Sequence, residues 1–194
     1  MMHTFNHHVI VRNFMESLPC LDWVLDLGGG IGDIQANLPG WNKMNIDLWQ
    51  PELDLCSQNH PEIFTLQYDI RRLRELLPPN SVDMIMCWDV LEHMSREESL
   101  QLMEDAEVVA KYGVTWFGPI EKIPTKFVGH VLGVYEKNPL MDHVQCLDME
   151  MFLDRGYEVV LMPGYWDVAP KLDAVAILAL KRLPYENPAA EPGV

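Results

Sequence analysis

Apolar runs alternate with amphipathic stretches along the chain, as in a sheet whose strands are joined by helices. An amphipathic stretch over Val9–Ser17 predicts a short helix, and the apolar run Asp22–Leu27 predicts a first strand. A glycine-rich turn and a helix over 31–38 follow, with Pro39-Gly40 as the stop. "KMNIDLW" predicts a second strand ending in Asp47, and "IFTLQYD" a third ending at Asp69. The helix "IRRLRELL" comes next and "PPN" terminates it. "VDMIMCWD" is apolar without alternation, which predicts a fourth strand buried on both faces. A helix over Glu97–Ala110 leads to a fifth strand, Gly113–Phe117. The pattern then dissolves over 118–142, a length that in a compact domain marks a functional lid or disorder. "LDMEMFLDRG" predicts a helix closing on Gly156, "YEVVLM" a sixth strand and "LDAVAILAL" a seventh. Such alternation means an α/β, doubly wound, mostly parallel sheet with helices on both faces, in which ligands bind at the carboxyl ends of the strands.

The length of 194 residues suits one domain with a real core, expected over 1–183, with 184–194 as a disordered tail. A formal charge of −15 repels phosphate backbones and anionic membranes, so nucleic acid is a disfavoured partner. No apolar run is long enough to span a bilayer and "MMHTFNHHVIV" has no leader pattern, so a cytoplasmic location is expected. Cys20, Cys56, Cys87 and Cys146 are widely spaced and form no C-x-x-C, which predicts buried reduced thiols rather than a metal site or disulfides.

"WVLDLGGGIGDI" places Gly28, Gly29, Gly30 and Gly32 between a strand and a helix. A single glycine would make the turn; four let a ligand lie against bare main chain. In a nicotinamide fingerprint the last glycine position would be Asp33, whose acid suits a pyrophosphate badly. Asp26 before the loop and Asp33 after it suit a ligand carrying an ammonium group. Asp26, Asp47, Asp69 and Asp89 follow one another at intervals of 21, 22 and 20 residues, the spacing of successive βα units on one sheet edge.

"VLDLGGGIG" resembles the first motif of the class I S-adenosylmethionine-dependent methyltransferases, and "SVDMIMCWDVLEHM" resembles their fourth strand and the segment after it. The resemblance covers roughly residues 22–181 and implies strand order 3-2-1-4-5-7-6, with S-adenosylmethionine as cofactor. By that resemblance Asp26 and Gly28, Gly29, Gly30 and Gly32 surround the cofactor's amino-acid end. Asp47 takes both ribose hydroxyls, while Leu48 and Trp49 pack on adenine. Asp69 and the Ile70 N–H meet the adenine edge, and Asp89 completes the acidic rim. Gly29 stands where the family commonly has Cys or Ser, which suggests added flexibility.

Methyl transfer from a sulfonium is an in-line displacement that needs a base only when the acceptor must lose a proton. His93 and His143 are the candidate catalytic bases; the stretch around His143, ending in Gly156-Tyr157, resembles a segment of small-molecule and glycan methyltransferases. Asp89-x-x-Glu92-His93 with His143 also resembles the E-x-x-E-H metal group of some ubiquinone and small-RNA 2′-O-methyltransferases. Asp in place of the first Glu shortens its reach, so no metal is assigned. The run after the fourth strand lacks the Asn/Asp-Pro-Pro-aromatic pattern of base-amino methyltransferases. The 118–142 segment balances Lys122, Lys126 and Lys137 against Glu121, Glu136 and Asp142. It carries Phe127, His130 and Tyr135, with Trp116, Phe117, Tyr165 and Trp166 expected nearby. Such a wall suits an uncharged small-molecule or glycan acceptor, methylated at oxygen. His3, His7 and His8 form a terminal cluster expected to be inert. The competing readings are a nicotinamide oxidoreductase, a non-catalytic cofactor-binding subunit that supports a partner enzyme, and a metal-assisted 2′-O-methyltransferase.

Overall fold

The computed structural model describes residues 7–38, 42–120, 138–163 and 175–185. Its seven strands are β1 (Trp23–Leu27), β2 (Asn42–Asp47), β3 (Ile63–Gln67), β4 (Val82–Trp88), β5 (Ala110–Pro119), β6 (Glu158–Pro163) and β7 (Val175–Arg182). They form one sheet in the order 3-2-1-4-5-7-6, the order anticipated above. The first five run parallel, and β7 runs antiparallel to both β5 and β6. The described helices are α1 (His7–Glu16), α2 (Asp33–Ala36), α3 (Gln50–Asn59), α4 (Leu73–Leu76), α5 (Arg96–Val109) and α6 (Glu150–Leu153). Short 3₁₀ turns lie at Ile70–Arg72 and Leu91–His93.

The unbroken apolar run of β4 is explained by its central place: all seven residues are buried. Alternate side chains feed two cores. Ile85 and Cys87 join Leu25, Trp116 and the inner face of α5, whereas Met84, Met86 and Trp88 join Val24, Phe117 and the Val11, Phe14 and Met15 side of α1. A capping box sets the start of α5: Ser95 accepts from the Glu98 N–H, and the Glu98 carboxylate accepts from the Ser95 N–H.

Several boundaries differ from expectation. The apolar pattern predicts no helix over 50–59, yet α3 occupies it, because parallel neighbours β2 and β3 require a crossover. Pro51 in the first turn was the available signal, weakened by the poor amphipathicity of "QPELDLCSQN". The helix expected over 31–38 shortens to four residues, "IRRLRELL" splits into a 3₁₀ turn and α4, and the helix before Gly156 shortens to α6. In contrast β5 is longer at both ends than expected, since α5 passes into it at Ala110 without a loop. Cys56 and Cys87 are buried free thiols as expected, but Cys20 and Cys146 are exposed. The stop at Pro39-Gly40, His3, residues 121–137 of the expected lid with Phe127, His130 and Tyr135, the aromatics Tyr165 and Trp166, and tail residues 186–194 lie outside the described residues. At the near end of the tail, Tyr185 packs edge-on against Tyr112, with ring centroids 5.1 Å apart.

Candidate functional site

The carboxyl ends of β1, β2 and β4 open into a cavity of about 460 Å³. Asp26, Asp47, Asp69 and Asp89 all line it, as do Gly28, Gly29, Gly30, Leu48 and Ile70. Four acids distant in sequence thus meet because each ends, or nearly ends, a strand on one edge of the sheet.

Local geometry explains the glycine loop. Gly28 and Gly30 have φ of +74° and +52°, a region in which side chains are strained. Gly29 has no such φ, but a Cβ there would stand 2.6 Å from Asp26 Oδ2 and 2.7 Å from Asn45 Oδ1. It is therefore required for room, not for the flexibility its place in the motif suggested. Gly32 shares the positive φ, at +80°, but does not line the cavity, and its missing Cβ makes space for Cys56 Sγ of α3 at 2.5 Å.

Side chains of β2 bind the loop's main chain. Asn45 Oδ1 accepts the Gly29 N–H at 3.1 Å, and Asn45 Nδ2 donates to the Gly30 carbonyl at 2.8 Å. Asp47 Oδ2 accepts the Gly30 N–H at 3.0 Å, while its Oδ1 accepts the Trp49 N–H at 2.7 Å. With the Gly29 and Gly30 N–H groups so engaged, the loop presents little of the donor cradle a pyrophosphate needs. Asp33, expected to face the ligand, turns away to His60, 2.7 Å from its Nε2, and does not line the cavity.

The wall is strongly acidic. Glu52, Glu98 and Asp142 join the four aspartates of the sheet edge, and among the described residues Arg71 is the one lysine or arginine that lines the cavity. Its guanidinium is committed to Asp69, at 2.7 Å, and to Glu98, at 3.1 Å. That pairing holds the Asp69 carboxyl below its usual range. Burial, reinforced by the neighbouring Asp47 charge, pushes the Asp26 carboxyl up to about 8. Asp47 is also raised by burial, against the lowering effect of its backbone hydrogen bonds. Asp89 has φ +56°, an Oδ1 without a hydrogen-bond partner, and a carboxyl raised by burial. Such a cavity favours a cation and disfavours a phosphate.

The two candidate histidines are together but not equivalent. His93 lines the cavity, and His143 sits behind it, buried, with the rings edge-to-face at 4.9 Å. Burial lowers the His93 pKa, so its imidazole is neutral near pH 7. Its Nδ1 lies 3.2 Å from the Asp142 carbonyl. Glu92 is 1% exposed, its Oε2 has no hydrogen-bond partner, and burial beside Asp89 pushes its carboxyl far up. Ligand atoms of Glu92, His93 and His143 lie within 4.8 Å of one another. Asp89 is outside that group.

The segment following the expected lid closes the cavity's rim. Asn138 donates to Glu52 Oε1 at 2.9 Å, and the Val144 N–H donates to the Glu92 carbonyl at 2.8 Å, so residues 138–144 bridge from α3 to the turn after β4. Trp116 and Phe117, expected near the acceptor, are buried in the two cores instead; among the described residues Trp88 is the Trp, Tyr or Phe that lines the cavity. Trp49 contributes its N–H to Asp47 and does not line the cavity. His7 is buried at the start of α1, stacked on Phe117 at 5.4 Å, so the terminal cluster is partly core. Sequence reasoning missed Asn45, Glu52, Trp88, Arg71 and Asn138. Only Asn45, two residues before Asp47 and hence on the same side of β2, had a readable signal.

Residues 25–116 match the sequence profile of the family described as "Methyltransferase domain". The fold resembles magnesium protoporphyrin IX methyltransferase from Synechocystis PCC 6803, solved with bound SAH, at TM-score 0.64 and 14% identity, over 92% of this chain and 81% of that one. It also resembles a SAM-dependent methyltransferase from Archaeoglobus fulgidus (TM-score 0.60, 16% identity, 89% and 92% covered). Residues 25–116 thus match a methyltransferase domain, set in a sheet with the fold of S-adenosylmethionine-dependent methyltransferases. The same Synechocystis enzyme has also been solved with bound SAM. A further similar structure is a putative methyltransferase from Bacillus halodurans C-125 (TM-score 0.62, 12% identity, 92% and 100% covered). Among curated proteins, none matches this chain in sequence. Among the described residues, no helix is long and apolar enough to cross a membrane.

Proposed function

We propose that this methyltransferase moves the methyl group of S-adenosylmethionine to a hydroxyl of an uncharged small molecule or glycan, acting in the cytoplasm as one domain over 1–183. The observation that carries the reading is the neutral imidazole of His93 at the wall of an acidic cavity. Asp47 takes the ribose hydroxyls, Leu48 and Ile70 flank adenine with Asp69 at its edge, and Asp26 with the Gly28–Gly30 loop holds the amino-acid end. The acceptor oxygen displaces the sulfonium: the O–CH₃ bond forms as the S–CH₃ bond breaks, and S-adenosylhomocysteine leaves with the electron pair. His93 takes the hydroxyl proton, and His143 fixes its ring. Trp88 and the exposed Leu140 and Val144 near the rim suit an acceptor with apolar surface. Incubation with labelled cofactor and a panel of hydroxyl, amine and carbon acceptors tests this; products methylated only at nitrogen or carbon would overturn it.

Asp26 gives the site a pH dependence of known sign. Its carboxyl, raised to about 8 in the ligand-free protein, is mostly protonated at pH 7, and its contribution to stability is lost as pH rises through that value. An ammonium placed against it restores ionisation, so cofactor binding expels a proton. S-adenosylmethionine affinity is expected to rise by on the order of tenfold per pH unit between about pH 6 and 8. Calorimetry in buffers of different ionisation enthalpy reads the released proton directly; no release would remove Asp26 from the amino-acid end.

One observation favours a second reading: the convergence of Glu92, His93 and His143, with Glu92 Oε2 lacking a hydrogen-bond partner. One carboxylate and two imidazoles fit Zn²⁺ or Mn²⁺. These residues would hold the ion, which would polarise the acceptor oxygen. Turnover abolished by a chelator and restored by metal would establish this reading, and chelator-insensitive turnover would leave His93 as the base.

A further inference from the structure

We infer that Asn45 is a positioning residue for cofactor binding, coupled to the absence of a side chain at Gly29. Asn45 is fully buried in β2, and its amide is used at both ends by the loop it faces. Oδ1 accepts from the Gly29 N–H and Nδ2 donates to the Gly30 carbonyl, so one planar group clamps two successive residues. Asp47, next on the same side of β2, holds the Gly30 N–H. The two residues together set the loop's path along the cavity. An asparagine is suited to this task because a carboxylate offers no donor to the Gly30 carbonyl and would place a second buried charge near Asp26.

The clamp has a steric consequence. The space a Cβ at Gly29 would fill is taken by Asn45 Oδ1 and Asp26 Oδ2. Gly29 and Asn45 therefore form one unit: the bare residue admits the amide, and the amide supplies the contacts that hold the bare residue in place. Neither interaction touches the transferred methyl group, so the unit acts on cofactor affinity and not on the chemical step.

This inference rests on the glycine loop and Asp47 forming the cofactor site. The test is a double-mutant cycle read by calorimetric titration with S-adenosylmethionine and by kcat at saturating cofactor. Asn45→Ala and Gly29→Ala are each expected to raise the Kd at least about tenfold and to change kcat less than about threefold. In the Gly29→Ala/Asn45→Ala double variant the clash with Asp26 Oδ2 remains, but the displaced loop has already lost the amide's hydrogen bonds, so removing the amide costs little more. The double variant's Kd is therefore expected to be at least about tenfold lower than the product of the single effects. Asn45→Asp keeps the side chain's shape, and its Kd is expected to rise at least about tenfold as well. Additive effects, unchanged affinity in both Asn45→Ala and Asn45→Asp, or an equal loss of kcat would overturn the proposal. Unchanged affinity in Asp47→Ala would instead sink the cofactor site beneath it.

Discussion

Turnover of a His93→Ala variant falls by about 100-fold or more at saturating cofactor, while S-adenosylmethionine affinity stays within about threefold of the parent. The expectation follows from position. His93 lines the cavity, its burial keeps the ring neutral, and its Nδ1 lies near the Asp142 carbonyl, so one nitrogen remains to take a proton. Loss of the ring also loosens the 138–144 segment, and His93→Gln controls for that by offering an amide to the same carbonyl without a basic nitrogen. Both variants are expected to lose turnover alike. A His93→Gln enzyme with parental kcat would show that the ring merely supports the rim. His143→Ala is expected to lower kcat less than His93→Ala, since it reaches the cavity through the His93 ring.

Replacing Asp47 by alanine weakens S-adenosylmethionine binding by about 2 kcal/mol or more, roughly 30-fold in Kd, because charge-assisted hydrogen bonds to buried hydroxyls are lost. The structure adds a second source of loss. Asp47 also accepts the Gly30 and Trp49 N–H groups, so the substitution frees both the glycine loop and the entry to α3. Asp47→Asn separates the two: it keeps an oxygen for one N–H and removes the charge. Calorimetric affinity should therefore fall less for Asn than for Ala. Parental affinity in both variants would refute the role of Asp47.

Period and spacing made much of the site legible. The intervals between Asp26, Asp47, Asp69 and Asp89 predicted one acidic sheet edge, and all four acids line one cavity. Some side chains could not be aimed from sequence. Asp33 follows the loop directly yet pairs with His60, because the first turn of α2 points it toward α3. Gly32 shares the left-handed φ of Gly28, but the space beside it is set by Cys56 of α3, a contact no local pattern announces. Glu52 and Asn138 gave no signal at all; their pairing exists only because the rim segment crosses back over α3.

The sequence by itself determined the sheet, its order through family resemblance, and the glycine loop beside successive acids, since these follow from local periodicity and from βα units of regular length. Only the tertiary structure decided which side chains reach the cavity. It put His93 at the wall and His143 behind it, withdrew Trp116 and Phe117 into the cores, and turned Asn45 onto the loop. Strand periodicity sorts residues between the faces of a sheet, but exposure at a strand end depends on which distant segment packs over it.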